Sequence, residues 1–267
     1  MANLGGAERA TTSPAVHSAS PWDWSAASDP GLARNHNEDA WRVAPPAGLF
    51  LLADGMGGYS AGDVASSLAV DGVLEALGHE FDVPAGCPER LALLQRAIGS
   101  ANAAILAAAA RRTECLGMGT TLTCAWVDER VLSIGHIGDS RIYLSRGGML
   151  YRLTRDHSVG QAMVDAGVMD EQAAGHASLR GVLTRALGVE PAVQADVGQV
   201  ELKPGDRLLL CSDGLSDVVD HESISGAIAN SRSSRQCADD LVAAALAAGG
   251  HDNVTVLVAF FCPVAST

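Results

Sequence analysis

Four aspartates stand beside short apolar runs, in positions from which their carboxylates could act together. The runs are LFLLADGMGG, VLSIGHIGDSR, RLLLCSDGL and GGHDNVTVLVAF, and the aspartates are Asp54, Asp139, Asp213 and Asp252. In the first three runs the aspartate follows the apolar residues, and in the fourth it precedes them. A rigid strand that ends at a carboxylate projects it from a buried edge, which is how precise binding sites are built. We therefore expect the four carboxylates to converge.

Converging carboxylates indicate a cation. Any single Asp-Gly pair is better explained as a turn whose side chain bonds its own backbone. Together, however, clustered carboxylates repel each other and have raised pKa values unless a cation compensates them. Oxygen ligands suit hard ions such as Mg²⁺ or Mn²⁺ rather than zinc. Two such ions, about 3.5–4 Å apart, could hold a water and align it for in-line attack at phosphorus.

Phosphate chemistry also needs a cationic side chain, and Arg34 is the candidate. It lies in SDPGLARNHNEDA, just before Glu38 and Asp39. A guanidinium offers a planar fork that matches the oxygens of a phosphate group. On spacing alone, a surface arginine in a weak ion pair is an equally good interpretation.

The histidines lack the spacing of a metal site, because neither HxH nor HExxH occurs in the sequence. A histidine-bound transition metal is therefore not expected. His136 lies inside an apolar run and is predicted to be an interior residue. His157 and His251 each neighbour an aspartate and are predicted to orient it, and His36 is predicted to be exposed.

Hydrophobic periodicity places these residues on a layered fold. Apolar residues at helical spacing predict helices over 62–77, 88–108 and 234–248. Short apolar runs predict strands over 49–53, 120–127, 131–137, 141–144, 207–211 and 254–260, several of them buried on both faces. Turn residues at 128–129 and 146–148 join neighbouring strands as hairpins. The natural assembly is a stacked, largely antiparallel sheet core with helices outside.

Composition excludes several classes of protein. The chain has 267 residues and a formal net charge of −13, which disfavours nucleic acid as a partner. Its six cysteines contain no CxxC pair, so a reducing cytoplasm fits better than a disulfide framework. No apolar run approaches the ~20 residues of a membrane span, and no secretory signal is evident. The Ala- and Ser-rich residues 1–20 are predicted to be a disordered tail.

Six motifs in a fixed order give the sequence a specific resemblance. They are SDPGLARNHNED at 28–39, ADGMGG at 53–58, MGTTLT at 118–123, GDSR at 138–141, SDGL at 212–215 and HDNVT at 251–255. The chain resembles a bacterial member of the type-2C, metal-dependent protein serine/threonine phosphatases over about residues 24–261. One DG pair is a weak signal, whereas the ordered set is highly specific.

The resemblance implies an α+β fold, a four-layer α/β/β/α sandwich of two stacked antiparallel sheets flanked by helices. The catalytic domain would span 21–263, with a mobile flap at about 157–187 beside the site. It also implies hydrolysis of phosphoserine and phosphothreonine with two tightly bound Mn²⁺ or Mg²⁺ ions. Eukaryotic members have a histidine where this chain has Met56, and a thioether cannot donate a proton to the leaving alcohol. A metal-bound water is the preferred donor, ahead of His157 or His36.

The resemblance also assigns ligands to the first metal. Asp54 would bridge both ions, and Gly55 would lend its backbone carbonyl to one of them. Glu38 and Asp39 would act on the first metal, either directly or through waters.

For the second metal, the resemblance assigns Asp213 and Asp252. Asp139 would help Asp213 to hold a third, weaker ion. Arg34 would bind the phosphate of the substrate.

Substrates and partners follow from the same resemblance. The expected substrates are phosphorylated proteins, and the expected partner is a cognate serine/threonine kinase or that kinase's substrates. A cytoplasmic monomer that binds neither nucleic acid nor membrane is predicted. Two alternatives remain: a catalytically inactive phosphoprotein-binding scaffold of the same fold, and a Ca²⁺-binding structural protein. The second lacks EF-hand spacing and gives Arg34 no task.

Overall fold

Two antiparallel sheets form the centre of the molecule. The computed structural model describes residues 10–12, 22–57, 61–78, 80–84, 86–170, 173–174 and 181–261. In spatial order, the first sheet contains β1 (Ala10–Thr12), β2 (Trp22–Asp29), β12 (Val254–Phe261), β11 (Arg207–Cys211), β8 (Arg141–Arg146) and β9 (Met149–Arg152). The second contains β10 (Asp196–Glu201), β7 (Val131–Ile137), β6 (Leu122–Asp128), β4 (Leu49–Met56) and β3 (Asp39–Ala44), and β5 (Gly119–Thr120) also pairs with β4.

Alternation along the strands builds separate apolar layers. In β4, Phe50 and Leu52 face the first sheet, where they pack into the layer between the two sheets. Leu49, Leu51 and Ala53 point the other way, into a layer beneath helices. Successive side chains of a strand point to opposite faces, so an entirely apolar strand is buried on both.

Helices cover both outer faces of the sheets. On the second sheet lie α1 (Gly62–Leu77) and α2 (Pro88–Arg111). After α3 (Val159–Asp165), the helices α4 (Asp213–Ser216), α5 (His221–Asn230) and α6 (Ser234–Ala247) pack on the first sheet. Short 3-10 helices occur at Pro45–Ala47, Glu80–Asp82 and Thr113–Cys115. The predicted four-layer α/β/β/α sandwich is confirmed.

Helix α2 is the one described helix long and apolar enough to cross a membrane by length and composition. It packs against α1 and the second sheet, and its residues Leu94 and Ile98 are completely buried. The side chain of Asn102 donates to the carbonyl of Glu190 at 2.9 Å and accepts from the amide of Gly188 at 2.7 Å. These contacts make α2 a core helix of the sandwich.

The predicted elements agree with the structure apart from some of their ends. The three predicted helices correspond to α1, α2 and α6, and Ser233 caps α6 by accepting from the amide of Gln236. The predicted strand 120–127 is divided at Thr121 into β5 and β6. The prediction that β4 stops before Asp54 was wrong, because β4 continues to Met56.

The N-terminal prediction departs from the structure at three residues. Ala10–Thr12 form β1, which pairs with Ala26–Ser28 of β2, so a disordered tail was the wrong prediction for this part. The other residues of the predicted tail, 1–9 and 13–20, lie outside the described part of the chain.

Candidate metal centre

The pairing of β3 with β4 places Asp39 directly opposite Asp54. The backbone of Asp54 is fixed by two threonines. Its amide donates to the Oγ1 of Thr121 at 2.9 Å, while its carbonyl accepts from the Thr121 amide at 2.9 Å and from the Oγ1 of Thr120 at 2.8 Å. The position of Asp54 on β4 is therefore set by hydrogen bonds of its own backbone, two of them to threonine hydroxyl groups.

Asp139 and Asp213 reach the same region from the first sheet. Asp139 lies in the turn between β7 and β8, and Asp213 is the first residue of α4. Because Arg141 of β8 pairs with Cys211 of β11, the turn and the start of α4 lie at the same end of the sheet. The carboxyl group of Asp54 lies close enough to Asp39, Asp139 and Asp213 for their charges to raise its pKa, and it shares a hydrogen bond with Asp213. Three of the four aspartates predicted to converge, Asp54, Asp139 and Asp213, therefore do so, and the charge of the fourth, Asp252, acts on Asp39.

Burial and mutual repulsion make these carboxyl groups hard to ionise. Burial, and then the negative charges of neighbouring aspartates, raise the pKa of Asp139 to about 8. Burial likewise raises the pKa of Asp39 to about 6 and that of Asp54 well above its ordinary value. Asp39 accepts from Ser212 at 2.9 Å through Oδ2, while its buried Oδ1 has no hydrogen-bond partner. A bound cation would compensate these charges and use the unpaired oxygen.

The residues present fit a hard divalent ion. All the side chains involved are carboxyl groups, and oxygen ligands are those preferred by Mg²⁺ and Mn²⁺. Within the described ranges, no three histidine, cysteine, aspartate or glutamate side chains are already spaced as a finished coordination shell. An ion would therefore have to draw the oxygens together, in exchange for some of their present hydrogen bonds.

Two glycines, Gly55 and Gly62, allow Glu38 to lie close to the start of α1. The amide of Gly62, at the start of α1, donates to the Glu38 carboxylate, while burial raises the pKa of Glu38 overall. A Cβ atom on Gly62 would lie 2.8 Å from the carboxyl carbon of Glu38, and one on Gly55 would lie 2.1 Å from the carbonyl oxygen of Gly62. Only glycine at both positions lets α1 begin so close to Glu38.

Arg34 and Asp252 form an ion pair at the rim of the site. The Arg34 Nη2 donates to the Asp252 Oδ2 at 2.8 Å, and the two side chains are 53% and 40% exposed. The hydrogen bond to Asp252 and its charge raise the pKa of Arg34, and Glu38 and Asp213 add to the effect. Arg34 thus faces the acids, as its position beside Glu38 and Asp39 suggested.

Asn253 is a site residue that the sequence analysis missed. It is buried, and its Oδ1 accepts from the amide of Glu38 at 2.8 Å. Its Nδ2 donates to the carbonyls of Pro30 and His36, each at 2.9 Å. Asn253 therefore fixes the loop that carries Arg34. The available signal was its place in HDNVT, directly after a predicted ligand.

His157 does not orient its sequence neighbour Asp156, and this prediction was wrong. Its Nε2 bonds to Asp196 at 3.2 Å and its Nδ1 accepts from the amide of Gly138 at 3.1 Å, whereas Asp156 pairs with Arg141. Since both ring nitrogens of this buried side chain are engaged, His157 is poorly suited to protonate a leaving alcohol. His136 is buried as predicted, and its ring lies 4.7 Å from that of His157.

Comparison with known proteins agrees with this architecture. The chain matches the protein phosphatase 2C family over residues 33–249. It is 44% identical over 239 residues to the serine/threonine protein phosphatase PstP of Mycobacterium tuberculosis strain CDC 1551 / Oshkosh, an alignment that covers 88% of this chain and 44% of PstP. It is 36% identical over 233 residues to the serine/threonine phosphatase stp of Listeria innocua, with 86% of this chain and 92% of that protein covered.

A solved structure extends the likeness to three dimensions. The crystal structure of the PstP catalytic domain in complex with two manganese ions superposes with a TM-score of 0.79 at 41% identity, covering 90% of this chain and 97% of that one. The chain belongs to the protein phosphatase 2C family. It spans less than half the length of the M. tuberculosis relative.

Proposed function

We propose that the chain hydrolyses phosphoserine and phosphothreonine in proteins with a binuclear Mn²⁺ or Mg²⁺ centre. The observation that carries this proposal is the convergence of Asp39, Asp54 and Asp139 on Asp213, because the pKa values of the first three are raised and a cation would favour their ionised forms. When bound, the ions would activate a water for in-line attack on the phosphoryl group.

The chain's own residues divide the remaining work. Asp54 would bridge the two ions beside the carbonyl of Gly55, with Glu38 and Asp39 on the side of the first ion. Asp54 suits this position because the β3–β4 pairing and two threonines fix its backbone independently of its carboxyl group.

The second ion would be held by Asp213 and Asp252. Asp139 would join Asp213 at a third, weaker ion, since the charge of Asp213 already acts on Asp139. Arg34 would bind the phosphate from the rim. Family membership and the presence of every predicted acid support an active enzyme over the inactive scaffold.

The direct test is phosphate release from a phosphothreonine peptide with and without added Mn²⁺ or Mg²⁺. Release that depends on the added ion and stops in excess chelator is the expected result. A folded chain that binds the peptide but releases no phosphate with either ion would instead identify a binding scaffold.

The cellular setting is also part of the proposal. The substrates would be phosphorylated proteins, with a cognate serine/threonine kinase as the opposing enzyme, and the chain would act as a monomer in the cytoplasm. The names of the relatives and the absence of a CxxC pair support these inferences. Analytical sedimentation of the purified chain would test whether it is a monomer in solution.

Replacing Arg34 with alanine should raise KM at least as clearly as it lowers kcat. Arg34 would contact the phosphate in both the bound substrate and the transition state, and the loss of such a contact raises KM. The loss of hydrogen bonds to a charged group predicts a decrease in kcat/KM of about 10–100-fold. Arg42→Ala is the matched control, because Arg42 is similarly exposed and pairs with Asp71. Equal kinetics for the two variants would make Arg34 an ordinary surface residue.

Replacing Asp139 with asparagine should slow turnover while leaving the tight pair of ions intact. A loss of about 10–100-fold is typical for a group that supports a metal centre. Calorimetry should still detect the tight sites, whereas the response to millimolar metal should weaken. If Asp139 only stabilises its turn, the variant will instead lose about 1 kcal/mol of stability and keep its metal response.

A further inference from the structure

The two ends of segment 157–187 lie side by side. The amide of Thr184 donates to the carbonyl of His157 at 2.8 Å, and the amide of Val159 donates to the carbonyl of Val182 at 2.8 Å. The segment therefore leaves and re-enters the domain at one place. A displacement at either end must be passed to the other or break these bonds.

His157 connects the paired ends of the segment to the turn that precedes Asp139. The main-chain amide of His157 donates to the carbonyl of Gly138 at 2.8 Å. The amide of Gly138 in turn donates to the Nδ1 of His157 at 3.1 Å. Because Nδ1 accepts this bond it carries no proton, so the proton of a neutral ring is on Nε2. The Gly138 peptide is thus held through both its amide and its carbonyl.

Asp196 on β10 accepts hydrogen bonds from residues near both ends of the segment. Its Oδ2 accepts from the Nε2 of His157 at 3.2 Å, and its Oδ1 accepts from the Nη1 of Arg185 at 2.8 Å. His157 is buried beside the ring of His136. Burial lowers the pKa of His157 and so favours the neutral ring, although Asp196 lies within hydrogen-bonding distance. One carboxylate from the second sheet therefore fixes the entrance and the exit of the segment together.

Gly138 has little room to move. Its φ is +101°, and a Cβ atom there would lie 2.5 Å from the Cγ2 of Thr121. Thr121 accepts from the amide of Asp54 at 2.9 Å, and its hydroxyl is 2.7 Å from that of Ser140. The turn 138–140 is thus enclosed by Thr121 on the side of Asp54 and by His157 on the side of the segment.

We propose that His157 is a positioning residue which, with Asp196, clamps both ends of segment 157–187 to the Gly138 peptide and so sets where Asp139 presents its carboxylate. This inference rests on the proposed function for the role of Asp139 as a ligand. Its consequence is that a displacement of His157 would reach the Asp139 turn through the Gly138 peptide group.

Two substitutions separate the bonds of the His157 ring. Asparagine places its side-chain oxygen near the position of Nδ1 and preserves the acceptor for Gly138, whereas glutamine reaches the position of Nε2 and preserves the contact with Asp196. His157→Gln should lower kcat by about 10–100-fold, as expected for a group that orients a ligand, with KM for the peptide little changed. His157→Asn should recover most of the lost rate. His221→Gln, at an exposed histidine outside this network, is the control.

A double-substitution cycle tests whether His157 acts through Asp139. If it does, His157→Gln should cost little further rate in an Asp139→Asn background, because residues that share one contact network are not additive. Additive losses from the two substitutions would overturn the proposal. So would equal rates for the asparagine and glutamine variants of His157.

Hydrogen exchange gives a readout that needs neither metal nor activity. In the metal-free protein, His157→Gln should accelerate exchange of the Gly138 amide, and His157→Asn should restore its protection. Unchanged exchange in His157→Gln would overturn the proposal whatever the activity. If exchange follows this pattern while Asp139→Asn keeps its full metal response, the clamp stands and the third ion assigned to Asp139 in the proposed function is wrong.

Discussion

Replacing Asp54 with asparagine is expected to reduce turnover of a phosphothreonine peptide by about 10²–10³-fold, the usual loss for one well-placed electrostatic group. Asparagine keeps the shape of the side chain and removes one negative ligand from the position that would bridge both ions. Asp213→Asn should have a similar effect. The measurement is kcat at saturating Mn²⁺, and an excess of chelator should reduce the wild-type protein to the same low rate.

Folding and catalysis can be separated in the same variant. Asp54 is partly buried, and this burial together with the like charges of Asp39, Asp139 and Asp213 raises its pKa, so its replacement by a neutral group removes repulsion from the metal-free protein. The metal-free variant should therefore unfold at the same or a higher temperature than the metal-free wild type. Asp71→Asn, at an exposed aspartate paired with Arg42, should leave turnover unchanged. Wild-type turnover in Asp54→Asn or Asp213→Asn, or activity that persists in chelator, would refute the mechanism.

The stability of the metal-free protein is expected to decrease as the pH rises from 6.5 to 8. The folded-state pKa is about 6 for Asp39 and about 8 for Asp139, against an ordinary value of 3.8. Between the ordinary and the raised values the folded protein binds more protons than the unfolded chain, so the free energy of unfolding falls with increasing pH. His136, whose pKa is lowered to about 4 from 6.5, acts in the opposite direction below pH 6.5.

Added Mg²⁺ should reverse this trend. The ions bind the deprotonated carboxylates, so their stabilising effect should grow with pH, reaching about 2.7 kcal/mol when free metal exceeds its dissociation constant a hundredfold. Chemical denaturation at pH 6.5, 7.2 and 8 with and without Mg²⁺ measures both slopes. The metal-free slope should be shallower in Asp139→Asn. A metal-free stability that rises over this range would show that the carboxyl groups are not held protonated by the fold.

Sequence patterns predicted the central strands except β2, whose segment WDWSAASD mixes apolar and polar residues, and missed the strands at the edges. The runs in β4 and β11 are buried on both faces, so nearly every residue is apolar and the signal is strong. The strands β1, β3, β9 and β10 lie at the edges of the two sheets, and none of them was predicted. One side of an edge strand meets solvent, so segments such as DVGQVE contain too few apolar residues to be distinguished from loops.

The same limit applied to the site. The aspartates could be predicted because each adjoins a central strand, whereas the register that sets Asp39 opposite Asp54 depends on the unpredicted β3. The partner of His157 is Asp196, 39 residues away on the unpredicted β10. Spacing therefore identified the candidate ligands, while the contacts that position them required the three-dimensional pairing of the edge strands.

The ion pair between Arg34 and Asp252 makes a metal ion and the Arg34 guanidinium compete for one carboxylate. Asp252 accepts from Arg34 through Oδ2, while its Oδ1 accepts from the amide of Asn253, so both oxygens are engaged. An ion that takes Asp252 as a ligand would draw negative charge from this carboxylate and so weaken the guanidinium contact. Arg34 is thereby released towards the rim, where a phosphate would arrive. The protein would thus gain its grip on the phosphorylated side chain only after the ion that processes it is in place.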